Sequence, residues 1–399
     1  MKKILIKVMT ALLVLVLISA CGKKNNTNVD ETQKFLQQKE KISKAVEGKN
    51  PNDAVEEILC EMTLEEKVWQ MMFVTPEDIT GVSTAVTAGE TTQKALQKYP
   101  VGGIIYFSQN FQNIDQTTEM IKNTQEYSKI PLFISVDEEG GTVSRLGSKP
   151  QMGVKKQPPM SEIGATEDGE VAYKVGAELA NDLSKFGFNV DFAPVADVLV
   201  SRDNVETGTR SFGYDAVNVA CMVENVVKGL QEGGVSATLK HFPGAGATTV
   251  DTHTGYSANP RTIEELRKTE FLPFASGIEA GADFVMMSHM TLTNATKDKL
   301  PCSLSSEVIR DILIGELGFN GIVITDSLRM GAITEHYTPS EIGVIAVKAG
   351  NDMILMPKNI TETHKAIVDA VKDGEITEER INESVRKILK LKIEKGLWN

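Results

Sequence analysis

Short apolar runs rich in β-branched residues recur along the chain, and stretches with helical periodicity separate them. The eight runs are MMFVT (71–75), GGIIYF (102–107), LFISVD (132–137), FNVDFAPV (188–195), SATLKHF (236–242), DFVMMSH (283–289), GIVITD (321–326) and DMILM (352–356). Continuous apolar strands that alternate with helices are typical of a parallel sheet covered on both faces. Eight such units without a break in composition predict an α/β fold, a (β/α)8 TIM barrel, as a single domain over 51–399.

Two classes of ligand are disfavoured by the sequence. No G-x-G-x-x-G follows the first strand and no Walker loop is present, so a nucleotide-binding doubly wound sheet has little support. The formal net charge is −12, and it moves to −15 when the N-terminal segment with Lys2, Lys3 and Lys7 and no acidic residue is removed. Such an acidic surface argues against nucleic acid or anionic lipid as a partner, whereas neutral sugars are unaffected.

The first twenty residues have the pattern of an export signal. Three lysines precede an apolar run over 8–18, and Ser19 and Ala20 are the small residues of a cleavage site. Because Cys21 follows at once, the segment resembles a bacterial lipoprotein signal, in which that cysteine is lipidated. We therefore expect a signal peptide over 1–20 and a lipidated Cys21 that begins a polar tether, with one loose helix, over 21–50. The mature protein is expected to be anchored by lipid to the extracytoplasmic face of the cell membrane.

The remaining cysteines are Cys60, Cys221 and Cys302, an odd number without a C-x-x-C pair. Their wide spacing predicts buried thiols rather than a disulfide framework or a zinc site. No metal or other cofactor is predicted.

Charged side chains follow the apolar runs, at the strand ends where barrel enzymes carry their chemistry. These strand-end residues are Asp137, Glu138, Glu139, Arg145, Asp191, Asp197, Lys240, His241, His289 and Asp326. Any one of them could belong to a structural ion pair. So many on one rim indicate a functional site, because a buried charge must be paired or used.

The stretch KHFPGAGATTVDTH, from 240 to 253, begins at one of these strand ends and continues as a loop. It ends with Asp251 two residues before His253. In an extended or turning segment, residues two apart point the same way, so Asp251 can orient the imidazole of His253 and raise its basicity. An isolated D-x-H pair is also compatible with an ordinary polar loop.

The motifs VDEEGGTVSRL, FAPVADV, TRSFG, KHFPG…DTH and VITDSL, in this order, resemble those of family 3 glycoside hydrolases, in the β-N-acetylhexosaminidase (NagZ-type) branch. The resemblance implies retaining hydrolysis of terminal non-reducing β-linked N-acetylglucosamine, with Asp326 as the nucleophile and His253, oriented by Asp251, as the acid/base. It also implies that five residues bind the sugar: Asp137, Arg145, Arg210, Lys240 and His241. The expected partner is an amino-sugar oligosaccharide or muropeptide from peptidoglycan, bound by a monomer without cofactor.

One departure from the family pattern leaves alternatives open. The family usually has His and often Asp within PGHGD, where this chain has Ala245 and Ala247. The chain could therefore be a sugar-binding lipoprotein with impaired catalysis, or a family 3 enzyme with another glycoside specificity or with phosphorolytic activity.

Overall fold

The computed structural model describes residues 26–202, 204, 207–248 and 257–398, with side chains from residue 33 onward. Within this part of the chain, each of the eight predicted runs contains one barrel strand. The strands are β1 Met72–Val74, β2 Gly103–Ile105, β3 Phe133–Val136, β4 Glu138–Gly140, β5 Val143–Ser144, β6 Val190–Asp191, β7 Ser236–Phe242, β8 Ala258–Asn259, β9 Phe284–Met287, β10 Thr291–Leu292, β11 Ile322–Thr325 and β12 Ile354–Leu355. Strands β4, β5, β8 and β10 lie outside the barrel and form two small paired ribbons.

The barrel strands pair in parallel in the order in which they follow along the chain, and the last strand, β12, pairs with the first, β1. Their order in the sheet is β11-β9-β7-β6-β3-β2-β1-β12. A parallel bridge between Ile324 and Met353 joins β11 to β12 and nearly closes the ring. The predicted (β/α)8 barrel is therefore confirmed, and the carboxyl ends of all eight strands meet at one rim.

Helices cover the outside of the sheet and bury their apolar faces against it. Among the described residues, the α-helices are Asn26–Val46, Pro51–Glu61, Leu64–Gln70, Pro76–Thr80, Glu90–Lys98, Ile114–Tyr127, Met160–Gly164, Gly169–Phe186, Ala216–Glu232, Ile263–Lys268, Phe271–Glu279, Gly331–Thr334, Pro339–Ala349, Ile360–Lys372 and Glu378–Glu394, with a π-helix over Glu307–Glu316. Local sequence sets many of their ends. Thr338, for example, caps the helix Pro339–Ala349 by accepting from Glu341 N, while the Glu341 carboxylate accepts from Thr338 N.

The helix expected within the polar segment 21–50 is present over Asn26–Val46, but it is not loose. Residues 26–46 form a helix that is docked on the domain, with Ile42 and Ala45 buried. Lys39 Nζ also donates to the carbonyl of Glu126 at 2.5 Å. The apolar residues in this polar segment are enough to bury one helical stripe. The signal segment 1–20 and Cys21 lie outside the described residues.

None of the helices in the described part of the chain is both long and apolar enough to span a membrane.

Cys302 is buried as predicted, but Cys60 and Cys221 are exposed, so the prediction of buried thiols is wrong for those two. Both lie on helices that present one side to solvent.

A buried lysine closes the end of the barrel opposite the rim. Lys392, on the helix Glu378–Glu394, donates to Gln70 Oε1 at 2.8 Å, and its Nζ lies 5.0 Å from the ring centroid of Phe133. Burial lowers the pKa of Lys392 well below its ordinary value. Folding therefore weakens proton binding at this amine.

This lysine makes the stability of the protein depend on pH in a defined direction. Because the unfolded chain binds a proton that the folded chain releases, the free energy of unfolding should rise with pH between the lowered pKa and the ordinary value of 10.5. We expect Lys392→Met to stabilise the protein at pH 6.5 by about 1–2 kcal/mol and to flatten this rise. Urea unfolding at pH 6.5 and pH 9.5 measures both effects. Lys390→Met, an exposed position on the same helix, is the control, and equal pH slopes for wild type and Lys392→Met would contradict the assignment.

Candidate active site

A cavity of about 380 Å³ opens at the carboxyl ends of the barrel strands. Pockets of roughly this size, ~300–1,000 Å³, commonly bind small ligands in proteins. Its polar lining residues are Asp137, Glu139, Arg145, Arg210, Lys240, His241 and Asp326. A larger cavity of about 560 Å³ lies at the opposite end, next to the residues that precede β9 and β11, and it contains none of these groups. Since barrel enzymes use the carboxyl end, the smaller cavity is the candidate active site.

After β3, the side chains of three consecutive acidic residues point alternately toward the cavity and away from it. Asp137 and Glu139 both line the cavity, whereas Glu138 points away from it. The Glu138 carboxylate is buried and accepts from Arg145 N and Leu146 N, both at 2.8 Å. Burial raises the pKa of Glu138, and these backbone donors oppose that rise. Glu138 therefore holds the loop that carries Arg145 instead of facing a ligand.

Lys240, at the end of β7, lies between the two acids that face the cavity. Its Nζ is 2.9 Å from Asp137 Oδ1 and 2.6 Å from Glu139 Oε1. Arg210 donates two further hydrogen bonds to Glu139, from Nε and Nη2, each at 2.8 Å. Burial alone would raise the pKa of Glu139, but the charges of Lys240 and Arg210 outweigh it and lower that pKa. These groups form a preorganised cluster of fixed charges on one wall of the cavity.

Arg145 also lines the cavity, next to this cluster. Its Nη2 lies 3.5 Å from Asp137 Oδ2, and its guanidinium carbon lies 5.6 Å from the ring centroid of Phe107. A guanidinium over an aromatic face gains a cation–π attraction while its remaining N–H groups stay available to a ligand.

His241 is fixed by a buried aspartate that does not line the cavity. Asp197 accepts from His241 Nδ1 at 2.9 Å, from His241 N at 3.1 Å and from Ala245 N at 2.7 Å. Because a carboxylate only accepts, this contact places a proton on Nδ1. Burial lowers the pKa of His241, but the charge of Asp197 outweighs that effect and raises it overall.

Asp326 stands directly after β11, and hydrogen bonds hold both its backbone and its side chain. Its N–H donates to the carbonyl of Met287 at 2.9 Å, and its Oδ1 accepts from Ser327 N at 2.6 Å. Burial alone would raise the pKa of Asp326, but it is lowered by His241, by His289 and by the Ser327 amide. His289 is itself held by Ser303 Oγ at 2.8 Å and by the Ser327 carbonyl at 2.9 Å. Asp326 is therefore an ionised carboxylate in a largely enclosed place.

Apolar side chains complete the lining of the cavity. They are Ile105, Phe107, Val143, Phe192, Met286, Met330, Leu355 and Met356. A lining that combines polar and apolar side chains suits a pyranose ring, which has hydroxyl edges and apolar faces. Within the described residues, no group of three His, Cys, Asp or Glu side chains is arranged to hold a metal ion.

The structure brings together all six described residues that the sequence assigned to the site: Asp137, Arg145, Arg210, Lys240, His241 and Asp326. The other two, Asp251 and His253, fall within 249–256, outside the described residues. The sequence placed Glu139 and Asp197 among the charged strand-end residues but predicted no individual role for either. The spacing of Glu139 two residues after Asp137 was a usable signal, because such residues share a face. Nothing in the sequence pairs Asp197 with His241.

Glu139 should matter for stability as well as for binding. Glu139→Gln leaves the buried Lys240 and the partly buried Arg210 without their shared carboxylate, and we expect a loss of about 3–5 kcal/mol in the free energy of unfolding at pH 7. Since the pKa of Glu139 is lowered on folding, its contribution is present above the ordinary value of 4.5 and is lost as the pH falls below that value. Urea unfolding from pH 7 to pH 3 should therefore show a steeper acid loss for wild type than for Glu139→Gln. Glu119→Gln, an exposed helical position, is the control, and an unchanged stability of Glu139→Gln would refute the cluster's role.

The chain is similar to several known glycoside-acting enzymes. The chain is 35% identical over 297 residues to a "Beta-hexosaminidase" of Stenotrophomonas maltophilia (strain R551-3), covering 71% of this chain and 84% of that one. A solved glycoside hydrolase family 3 β-N-acetylglucosaminidase from Paenibacillus sp. str. FPU-7 is 36% identical with a TM-score of 0.79, over 84% of this chain and 63% of that one. This chain thus spans less than two thirds of the Paenibacillus protein. The β-glucoside phosphorylase BglX bound to 2FGlc is 27% identical with a TM-score of 0.78, over 88% of this chain and 62% of that one.

The family itself follows from a match that covers most of the chain. Residues 63–391 match the glycosyl hydrolase family 3 N terminal domain. This range includes all eight barrel strands and every polar residue of the cavity described above. The chain belongs to glycosyl hydrolase family 3 and is a glycoside hydrolase.

Proposed function

We propose that this chain is a retaining exo-β-N-acetylglucosaminidase that removes terminal non-reducing β-linked N-acetylglucosamine. The state of Asp326 is the observation that carries the proposal. This carboxylate lines the cavity, and its pKa stays below the ordinary value because neighbouring histidines and an amide outweigh the effect of burial. Retaining hydrolysis begins with attack by such an ionised carboxylate.

In the proposed reaction, a carboxylate oxygen of Asp326 bonds to the anomeric carbon as the bond from that carbon to the leaving oxygen breaks. His253 gives its proton to the leaving oxygen. It then takes a proton from the water that hydrolyses the glycosyl–enzyme ester, and Asp326 returns to the ionised state. Asp251 would orient the imidazole. The roles of Asp251 and His253 rest on the sequence alone.

The polar wall offers donors and acceptors for sugar hydroxyls. Asp137 can accept, and Arg145 and Lys240 can donate, while their own contacts keep the three side chains in place. The lowered pKa of Glu139 keeps it charged, so it balances Lys240 and Arg210 across the working pH range. Such fixed side chains lower the entropy cost of binding a sugar in one orientation.

The proposed substrate class is an amino-sugar glycoside, because the relatives at 35% and 36% identity are a β-hexosaminidase and a β-N-acetylglucosaminidase. An exported enzyme would meet such linkages in peptidoglycan fragments, so we propose muropeptides or related oligosaccharides as natural substrates. We further propose that it acts as a monomer.

A panel of nitrophenyl β-glycosides tests the proposal. We expect release of nitrophenol from the N-acetylglucosaminide at a kcat/KM at least about 10-fold above the glucoside, since a site that pairs with a substrate amide discriminates against its absence. Faster turnover of the glucoside would overturn the substrate class. No turnover of any member, with sugar binding intact, would favour the impaired sugar-binding protein instead.

Two structural observations bear on the alternatives. Ala245 contributes through its backbone, since its N–H donates to Asp197 and its carbonyl accepts from Thr248 Oγ1 at 2.8 Å. Loss of the usual histidine there leaves these contacts in place, which favours an active enzyme. The likeness to BglX makes phosphorolysis the second candidate. Repeating the panel with phosphate decides between the two, because phosphorolysis yields a sugar 1-phosphate and hydrolysis yields the free sugar.

Anchoring through Cys21 is a separate proposal. The cysteine stands where a lipoprotein signal places it, and an acylated N-terminus would hold the enzyme at the outer face of the membrane. We expect Cys21→Ser to move the protein from the membrane fraction to the soluble exported fraction of its native host. Cys60→Ser, at an exposed thiol, is the control. Cys21→Ser protein that stays in the membrane fraction would show that the anchor is wrongly assigned.

A further inference from the structure

We propose that Asn204 is a positioning residue, which holds the Arg210 turn in register with the turn that follows β7, over 245–248. Its side-chain amide makes four hydrogen bonds to backbone groups of these two segments. Nδ2 donates to the carbonyls of Ala245 at 2.8 Å and Thr248 at 3.0 Å. Oδ1 accepts from Thr207 N at 2.8 Å and from Gly208 N at 3.2 Å. This inference rests on the proposed function, because it assigns Asn204 to that same site.

The acceptor side of Asn204 fixes a turn that places a cavity residue. Thr207 and Gly208 lead into the single 3-10 turn Gly208–Arg210, in which Arg210 N donates to the Thr207 carbonyl at 2.9 Å. Arg210 then reaches Glu139 with two hydrogen bonds of 2.8 Å. The Thr207 and Gly208 N–H groups at the start of the turn have no hydrogen-bond acceptor within the turn, and Asn204 Oδ1 provides one.

The donor side fixes the chain that follows β7. Ala245 and Thr248 already form a tight turn, since Thr248 N donates to the Ala245 carbonyl at 3.2 Å. The neighbouring Gly246 carbonyl accepts from Val200 N at 3.0 Å, so the chain near residue 200 runs against this turn. Gly246 must lack a side chain here, because a Cβ would lie 1.6 Å from the Val198 carbonyl oxygen. Thr248 is the last described residue before the stretch that contains Asp251 and His253.

The chemistry of the amide is specific at this position. It meets two carbonyl oxygens on one side and two N–H groups on the other, so a primary amide in one orientation satisfies all four. Aspartate has nearly the same shape and keeps the acceptor side, but it turns the donor side into an oxygen that faces two carbonyls. Alanine removes both sides. The two substitutions therefore separate the two halves of the arrangement.

Hydrogen exchange tests the contacts without depending on activity. In Asn204→Asp, amides in peptides over 204–210 should keep their protection, whereas peptides over 243–248 should exchange faster. In Asn204→Ala, both sets should exchange faster. Asn218→Asp is the matched control, because Asn218 lies on the same rim and donates a single bond to the Gly164 carbonyl at 2.8 Å. Unchanged exchange over 243–248 in Asn204→Asp would overturn the proposal.

Kinetics test the consequence for the reaction. We expect the KM of Asn204→Asp for the nitrophenyl N-acetylglucosaminide to stay within about twofold of the wild-type value. Its kcat/KM for a disaccharide should fall at least about 10-fold further than its kcat/KM for the aryl substrate. Asn204→Ala should also raise KM, because the Arg210 turn loosens. If Asn204→Asp lost the same factor in kcat/KM on both substrates, and its melting temperature changed as much as that of Asn218→Asp, Asn204 would have a purely structural role. An inactive wild type would refute the proposed function, while the exchange pattern would still decide whether Asn204 makes these contacts.

Discussion

Asp326→Asn should reduce kcat by about 10⁴-fold or more, as removal of a covalent nucleophile does in other hydrolases. The substitution keeps the shape of the side chain and its acceptor for Ser327 N at 2.6 Å, so the fold should survive. Only the negative charge and its nucleophilicity are lost. Steady-state kinetics on the nitrophenyl N-acetylglucosaminide measures the effect, and the melting temperature of the variant verifies that it is folded.

Trapping identifies the nucleophile independently of that loss. A 5-fluoro glycosyl donor slows both steps and should leave a covalent label on Asp326, found by mass spectrometry of the digested protein. Glu138 should stay unlabelled, because its oxygens already accept from Arg145 N and Leu146 N. Glu139 should stay unlabelled too, because it is held by Arg210 and Lys240. A label on either glutamate would overturn the assignment of Asp326.

His253→Ala should lower kcat/KM most for those substrates whose leaving oxygen most needs a proton. A nitrophenolate leaves readily without one, whereas a sugar alkoxide hardly leaves at all. General acid–base help contributes about 10²- to 10⁴-fold, so the glycosylation rate should fall much more on a disaccharide than on an aryl glycoside. The measurement is kcat/KM for both substrates in wild type and variant.

Two companion measurements sharpen the test of His253. Asp251→Asn should show the same pattern more weakly, because the imidazole remains but loses the partner that orients it. Azide should restore aryl-glycoside turnover of His253→Ala where deglycosylation limits the rate, since azide attacks without a general base. Equal losses on both substrates, with no effect of azide, would show that His253 is an ordinary loop residue.

The barrel could be predicted because its signals are local. Each strand is a short apolar run between helical segments, and the order of the strands in the sheet follows their order in the chain. The lengths of the strands were harder to predict. The run over 188–195 yields only Val190–Asp191 as regular strand, and Pro194 farther along lacks the N–H that would continue the ladder.

The candidate site could be predicted in its membership but not in its internal pairing. Asp137, Lys240 and Asp326 stand at strand ends, and a closed parallel barrel brings all strand ends to one rim. Which acid pairs with which base depends on contacts across that rim. Lys240 lies 103 residues after Asp137 in the chain, and His241 lies 44 residues after Asp197.

The sequence by itself thus determined the fold and the set of charged groups at the barrel mouth, since periodicity and strand order act over short stretches of chain. Only the tertiary structure decided that Glu139 joins Lys240 to Arg210, that Asp197 sets the proton of His241, and that Glu138 turns away from the cavity. The protonation state of each group depends on burial and on charges a few ångströms away. Those neighbours come from distant parts of the chain and are fixed only when the barrel closes.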